Sequence, residues 1–316
     1  MHTAVVNHDL PIAEALEGRH EDLSVVKVSG VEETVSALFE AEILVCNGTR
    51  WDEQFLEGLE SGNWLQPTSA GYDAFPVDEL ADRGVRLSNA SGVHNPVVAE
   101  HAFALAFAFS RMVPEFSAKQ NRTEWGPRDE ISSELTDWKN HTLTVFGLGS
   151  IGEDIAVRGL AFEMDVYGIK RDPDDYNGGL DPDRVLGTEA FHDVLPETDL
   201  LVIVVPLTDE TRNTIDTDVF RALPDSAIVI NIARGEVVDE GDLLDALEDD
   251  EISSAGLDVF EAEPLPVESP LWERDDVLVT PHVAGRSNTF PDRFADLFFD
   301  NYERWRTDSE LINRVV

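Results

Sequence analysis

Three glycines in the spacing Gly147-x-Gly149-x-x-Gly152 follow the apolar run Leu143, Val145, Phe146. A helical pattern comes next, with Ile151, Ile155, Gly159 and Phe162 on one face, and a second strand pattern spans Asp165 to Ile169. A strand, a glycine turn, a helix and a second strand within about 30 residues leave few architectures open. The first glycine permits a tight strand-to-helix turn. The second lets backbone approach a pyrophosphate, whose charge meets the free N–H groups at the helix start. The third allows the helix to lie close on its strand. Glycine triplets also mark ordinary turns; here the flanking elements favour a dinucleotide site.

The end of the second strand selects the cofactor. An NAD site usually presents Asp or Glu there to the ribose hydroxyls, about 20 residues after the first glycine. This chain has Lys170 and Arg171 instead. Their charge would attract a 2′-phosphate, so NADP(H) is expected over NAD(H). The other reading makes them solvated surface charges, with Asp172 as the ribose acid in a shifted register.

The 316 residues suffice for two domains with separate cores. The most apolar run, Val97 to Phe109, is interrupted by Glu100 and His101 and reads as a buried helix, too short for a membrane span. The N-terminus enters a strand pattern directly, with no secretory leader expected. A single cysteine, Cys46, excludes an internal disulfide and suits a reducing cytoplasm. With 64 acidic against 23 basic residues the net charge is −41, which argues against nucleic-acid binding. Only Lys27, Lys119, Lys139 and Lys170 are lysines, and the acids are dispersed. Such a surface resembles that of halophilic proteins, and self-repulsion would make the fold depend on salt.

Strand patterns in the first half are Ala4–Val6, Val25–Val28, Ile43–Cys46, Trp64–Gln66 and Val85–Leu87, with helices such as Glu32–Phe39 and Glu53–Glu60 between them. That alternation predicts a parallel sheet covered on both faces. Loops Asn47–Arg50 and Thr68–Gly71 end two strands, as turns or as nests of bare N–H groups for a carboxylate. Asn95-Pro96 starts a helix running to Arg111, in which Glu100 and His101 are read as a satisfied buried polar pair ahead of the alternative, a functional pair. Ser117 to Thr136, with Pro127, reads as a loop or frayed helix. Later strands are Asp199–Val205, Ala227–Ile232, Ala255–Val259 and Val277–Val279, with a helix at Glu240–Leu247. The amphipathic helix Pro291–Arg306 comes after that sheet and is expected to return to the first domain. The predicted division is therefore a discontinuous substrate domain, 1–110 with 287–316, and a dinucleotide domain, 111–286.

Three later strands each end on an unusual polar residue: Arg234, Glu263 and His282. Parallel strands share a carboxyl edge, so all three are expected near the nicotinamide. Arg can clamp a carboxylate and polarise a keto oxygen. His can supply the proton that accompanies hydride. A Glu bonded to the other ring nitrogen fixes the tautomer. Singly each has an ordinary explanation; jointly they suit reduction of a 2-keto acid. Leu271 and Trp272, before the last strand, could border the pocket. No ligand cluster specifies a metal.

The chain resembles the D-isomer-specific 2-hydroxyacid dehydrogenases over almost its whole length. The resemblance rests on GLGSIG at Gly147, VVPLTDETRNTI at Val204, NIARGEVVDEGDLLDAL at Asn231, GLDVFEAEP at Gly256 and TPHVAG at Thr280. It implies two doubly wound α/β domains, a Rossmann cofactor domain and a flavodoxin-like substrate domain. It implies Arg234, Glu263 and His282 as the catalytic set, with Ser69, Ala70 and Gly71 (and Arg234) receiving the substrate carboxylate. The cofactor surface would comprise Gly147, Leu148, Gly149, Ser150, Ile151, Gly152, Lys170, Arg171, Pro206, Thr211, Ile232, Ala233, Asp258 and Gly285. Within it Asp258 and the Ile232 backbone would hold the carboxamide. A homodimer through the cofactor domains is implied too. The expected activity is reversible reduction of 2-keto acids to D-2-hydroxy acids with NADPH. The alternatives are a glyoxylate/hydroxypyruvate reductase of the same family, or a cofactor-sensing, corepressor-like binding protein. Glu rather than Gln at 263 speaks against the formate dehydrogenase branch.

Overall fold

A computed structural model describes residues 1–125 and 135–316. The expectation for Ser117–Thr136 falls partly outside them, Pro127 included. The chain divides into two compact units, one of 1–94 with 286–316 and one of 95–285.

The first unit holds a five-stranded parallel sheet, β1 (His2–Asn7), β2 (Leu23–Lys27), β3 (Ile43–Cys46), β4 (Trp64–Pro67) and β5 (Arg86–Leu87), in the order β2-β1-β3-β4-β5. That is the flavodoxin-type order. β3 and β4 are buried at every position, as central strands covered on both faces must be. Helix Phe290–Arg306 covers one face of this unit. Its residues Phe294, Phe298 and Tyr302 are fully buried, and Phe298 stacks on Trp64 at 5.0 Å between ring centres. Asn301 donates to Gln66 Oε1, and the Trp305 indole donates to the Gly62 carbonyl.

The second unit holds β6 (Thr142–Phe146), β7 (Asp165–Ile169), β8 (Val185–Leu186), β9 (Leu200–Ile203), β10 (Ile228–Asn231), β11 (Ser254–Leu257) and β12 (Val277–Val279). All pairings are parallel, in the order β12-β11-β10-β9-β6-β7-β8. From β6 the chain builds outward through β7 and β8, then returns to β9 on the other side. The order therefore reverses at β6/β9, where a crevice opens beyond the carboxyl ends of the strands.

The division departs from the expected boundary. Helix Asn95–Ser110 belongs to the second unit, where Val98, Ala99, Ala102, Phe103, Leu105 and Ala106 pack in a core with Leu143, Ile155 and Ile230. Gly256 on β11 admits it closely, since a Cβ there would lie 3.0 Å from Leu105 Cβ. Glu100 is exposed while its neighbour His101 is mostly covered, so the expected buried pair does not form. Adjacent residues on a helix point about 100° apart. Segment 53–60 is a 3-10 turn over Glu53–Glu57 rather than a helix, and it stops at Gly58, packed against Leu38. Residues Val113–Asn121 are helical. Among the described residues no single helix is long and apolar enough to cross a membrane.

Candidate functional site

The fingerprint turn sits at the β6/β9 reversal. Gly147 has φ +114°, a left-handed region closed to side chains, and a Cβ there would meet the Val204 carbonyl at 2.6 Å. Gly152 packs its bare α-carbon on the Gly147 carbonyl. Both glycines are thus dictated by backbone contact. Helix Ser150–Ala161 starts directly after Gly149 and buries Gly152, Ile155, Ala156 and Gly159. Its free N–H groups face the strand ends, which suits a pyrophosphate.

A cleft of about 260 Å³ opens there, lined by Gly147, Gly149, Lys170, Arg171, Pro206 and Thr211 among others. Lys170 is anchored by its N–H to the Leu186 carbonyl, so β8 fixes where β7 ends. The loop after β9 closes on itself: Thr211 Oγ1 donates to the Pro206 carbonyl at 2.6 Å and accepts from Thr208 N–H at 2.8 Å. The Glu210 carboxyl is held below its ordinary value, first by the Thr208 hydroxyl and also by the positive field of Arg171. Arg171 and Thr211 line the same cleft.

The three polar strand ends lie in the same unit, beyond the adjacent strands β10, β11 and β12, and Arg234 donates to the Ala233 carbonyl at 2.6 Å. Asn231, 1% exposed, closes β10 by accepting from Ala233 N–H and donating to the Arg234 carbonyl, both at 3.1 Å. That turn leaves Arg234 exposed at the strand end. Gly235 lies against the Phe260–Glu261 backbone with no room for a Cβ, which draws the Arg234 loop onto the Glu263 loop. Glu263 Oε1 accepts from Phe260 N–H at 3.2 Å, and Oε2 lies 2.7 Å from His282 Nδ1. A carboxylate can only accept, so Nδ1 carries the proton and Nε2 is the outward-facing end of the ring.

His282 has φ +52°, a left-handed conformation that costs a non-glycine residue about 1–3 kcal/mol unless its surroundings enforce it. They do. The His282 N–H donates to the Asp258 carbonyl at 2.9 Å and the Thr280 carbonyl at 3.0 Å. The Asp258 carboxylate, 1% exposed, accepts from the Thr280 hydroxyl at 2.5 Å, Val283 N–H at 2.9 Å and Ala284 N–H at 2.8 Å. Burial alone would raise the Asp258 pKa, but the His101 ring 3.4 Å away and donation from Thr280, Val283 and Ala284 outweigh it and hold the carboxyl below its ordinary value.

Among the other expected residues, Ser69, Ala70 and Gly71 lie in the first unit, just beyond β4, where the Ser69 hydroxyl donates to the Gly71 carbonyl at 2.8 Å. Ile232 and Ala233 are buried in the turn after β10. Leu271 is 1% exposed and packs in the core cluster with Leu257 and Val277. Trp272 is half-exposed, with its indole N–H on the Pro266 carbonyl. Among the described residues no group of three or more His, Cys, Asp or Glu could hold a metal. Sequence reasoning did not anticipate Thr280 or the engagement of His101, because their partners lie on distant segments.

A doubly wound sheet with a glycine turn at its reversal point, and an Arg, a Glu and a His on neighbouring strand ends, defines a dinucleotide-dependent oxidoreductase. The family model for the NAD-binding domain of D-isomer specific 2-hydroxyacid dehydrogenases matches residues 103–284. A glyoxylate/hydroxypyruvate reductase B from Yersinia enterocolitica is 35% identical over 274 residues, 85% of this chain and 82% of that protein. A family member from Aeromonas salmonicida has a similar structure, with a TM-score of 0.82, 30% identity and coverage of 100% of this chain and 99% of that one. Another, from Xanthobacter autotrophicus in complex with NADPH and MES, aligns with a TM-score of 0.76 at 27% identity, over 100% and 98% of the two chains. The chain belongs to the D-isomer specific 2-hydroxyacid dehydrogenase family.

Proposed function

We propose that this chain reduces small 2-keto acids to D-2-hydroxy acids with NADPH, with glyoxylate and hydroxypyruvate as the leading substrates. The observation that carries the reading is the 2.7 Å contact of His282 Nδ1 with Glu263 Oε2, with the exposed Arg234 following the adjacent strand β10. The name of the Yersinia relative supports the substrate pair. Lys170 and Arg171 on the cleft wall support NADPH over NADH, because both would meet a 2′-phosphate favourably, whereas Asp172 in the same lining is the carboxylate that would suit the ribose hydroxyls of NADH. The Xanthobacter relative binds NADPH.

Reduced nicotinamide, when bound, supplies the hydride. The chain's own residues do the rest. Gly147–Gly152 and the helix start bind the pyrophosphate. Arg234 clamps the substrate carboxylate and draws charge onto the keto oxygen. His282, entering the step with protons on both ring nitrogens, gives the Nε2 proton to that oxygen as hydride reaches carbon and keeps the Nδ1 proton bonded to Glu263, which holds the ring. Ser69, Ala70 and Gly71 are the proposed backbone N–H donors to the substrate carboxylate. Asp258, Ile232, Ala233 and Gly285 border the nicotinamide, and Pro206 and Thr211 the adenosine. We also propose a homodimer through the cofactor domains, a cytoplasmic location, and a surface adapted to high salt.

The test is consumption of NADPH and of NADH with a panel of 2-keto acids, with chiral analysis of the glycerate formed from hydroxypyruvate, since glycolate from glyoxylate is achiral. Turnover of glyoxylate or hydroxypyruvate with NADPH is expected. An L-product, or no turnover of any 2-keto acid, would reject the reading.

A further inference from the structure

Everything that holds the His282 turn converges on the buried carboxylate of Asp258, and a second histidine stands behind it. Thr280 has one hydroxyl proton, which it gives to Asp258 Oδ1. Its oxygen is therefore an acceptor towards its other neighbour, His101 Nε2, 2.9 Å away. Nε2 must carry a proton, and the sequence of donations has a direction: His101 Nε2–H to Thr280 Oγ1–H to Asp258 Oδ1. The same Nε2 lies 3.4 Å from Asp258 Oδ1, so its N–H also lies close to the carboxylate. His101 rides on helix Asn95–Ser110, whose neighbouring residues Ala99, Ala102 and Leu105 are locked in the core, so the imidazole has a firm base.

We propose that His101 is a positioning residue for the reaction: through Thr280 and Asp258 it fixes the left-handed turn that aims the His282 imidazole. The inference rests on the reading of His282 as proton donor. The geometry gives the brace work to do. The φ of His282 is unfavourable and is enforced by two bonds to the 258 and 280 carbonyls, with the next two amides, Val283 and Ala284, clamped by the carboxylate. Without His101 the Thr280 hydroxyl loses the donor that orients it, and the carboxylate loses a counterpart. Asp258 can then turn, and the backbone at His282 can relax towards a commoner conformation. Misplacement of a proton donor by about 1 Å can cost about a hundredfold in rate.

The experiment measures kcat, KM and NADPH affinity for His101→Ala, His101→Gln and His282→Gln, and for His101→Ala combined with His282→Gln. For His101→Ala we expect kcat to fall about 10- to 100-fold, with NADPH affinity by fluorescence quenching changed by no more than about threefold. His101→Gln, whose amide N–H can still donate to Thr280, should recover most of the loss; if His101→Ala is poorly folded, this variant and Thr280→Val carry the comparison. In the His282→Gln background, His101→Ala should cause no further loss, because the turn no longer carries a proton donor. Losses that multiply in the double variant, or a wild-type kcat for His101→Ala beside an inactive His282→Gln, would overturn the inference alone. Wild-type kcat in His282→Gln would overturn the underlying reading instead, and this inference with it.

Discussion

At the scale of single residues, the site is a set of polar groups whose aim is set by buried neighbours. Arg234, Glu263 and His282 were legible because each closes a strand pattern, and parallel strands deliver their ends to one edge. His101 was not, because its partner Thr280 is 179 residues away and only the folded chain brings them together. The cofactor-selecting pair is the sharpest single-residue test. Arg171→Asp should lower the preference for NADPH over NADH, read as the ratio of kcat/KM values, about 10- to 100-fold, the worth of one charge-assisted contact to phosphate. An unchanged ratio would remove Arg171 from phosphate recognition. Asp258 gives a test of stability. Its folded pKa lies below the ordinary carboxylate value, so its contribution is complete above that value and is lost as pH falls through the folded pKa. Asp258→Asn should therefore cost about 3 kcal/mol at neutral pH, where a charged acceptor holding several donors is replaced by a neutral amide. The gap to wild type, measured by denaturant unfolding, should narrow towards pH 3. A gap that widens in acid would contradict the assignment.

At the scale of elements, the apolar runs of β1, β3, β4, β6, β9 and β10 could be read directly, because strands buried on both faces are continuously apolar. Of the shorter pieces, β5 and β12 could be read, as Val85–Leu87 and Val277–Val279, but β8 and two short helices could not. β8 has two residues, too few for any period, and helices Ile12–Leu16 and Val77–Arg83 bury only a residue or a few each. The boundary helix Asn95–Ser110 was recognised as buried, but its unit was not, since an apolar helix does not announce which sheet it covers. Helix Phe290–Arg306 returns to the first unit on an aromatic face, and that face should carry much of the unit's stability. Phe298→Ala removes a fully buried ring stacked on Trp64 and should cost about 3–5 kcal/mol. Thermal unfolding measures it, and a loss under about 1 kcal/mol would mean that the helix is not integral to this core. Cys46, at the end of β3, reports on the same unit. Burial pushes its thiol up to about 12, so it stays protonated at neutral pH and should resist alkylation until the unit opens.

For the whole molecule, charge is the dominant quantity. A net charge of −41 is spread over both units, with ion pairs such as Arg19 with Asp292 and Asp296, and Arg306 with Asp22 and Glu303, offsetting a small part. Exposed pairs of this kind contribute about 0–1 kcal/mol each. The remaining carboxylates repel one another in the compact state more than in the expanded chain, because folding brings them closer. Salt shortens the reach of that repulsion, from a Debye length of about 10 Å at 0.1 M to about 3 Å at 1 M. The melting temperature should therefore rise steeply with KCl, by about 5–10 °C across that range if screening restores a few kcal/mol. The rise should be smaller at pH 5, where part of the carboxylate charge is already neutralised. Sucrose at matched water activity, which excludes itself from the surface without screening charge, should give less of it. A melting temperature flat in KCl, or an equal rise in sucrose, would show that self-repulsion does not limit this fold.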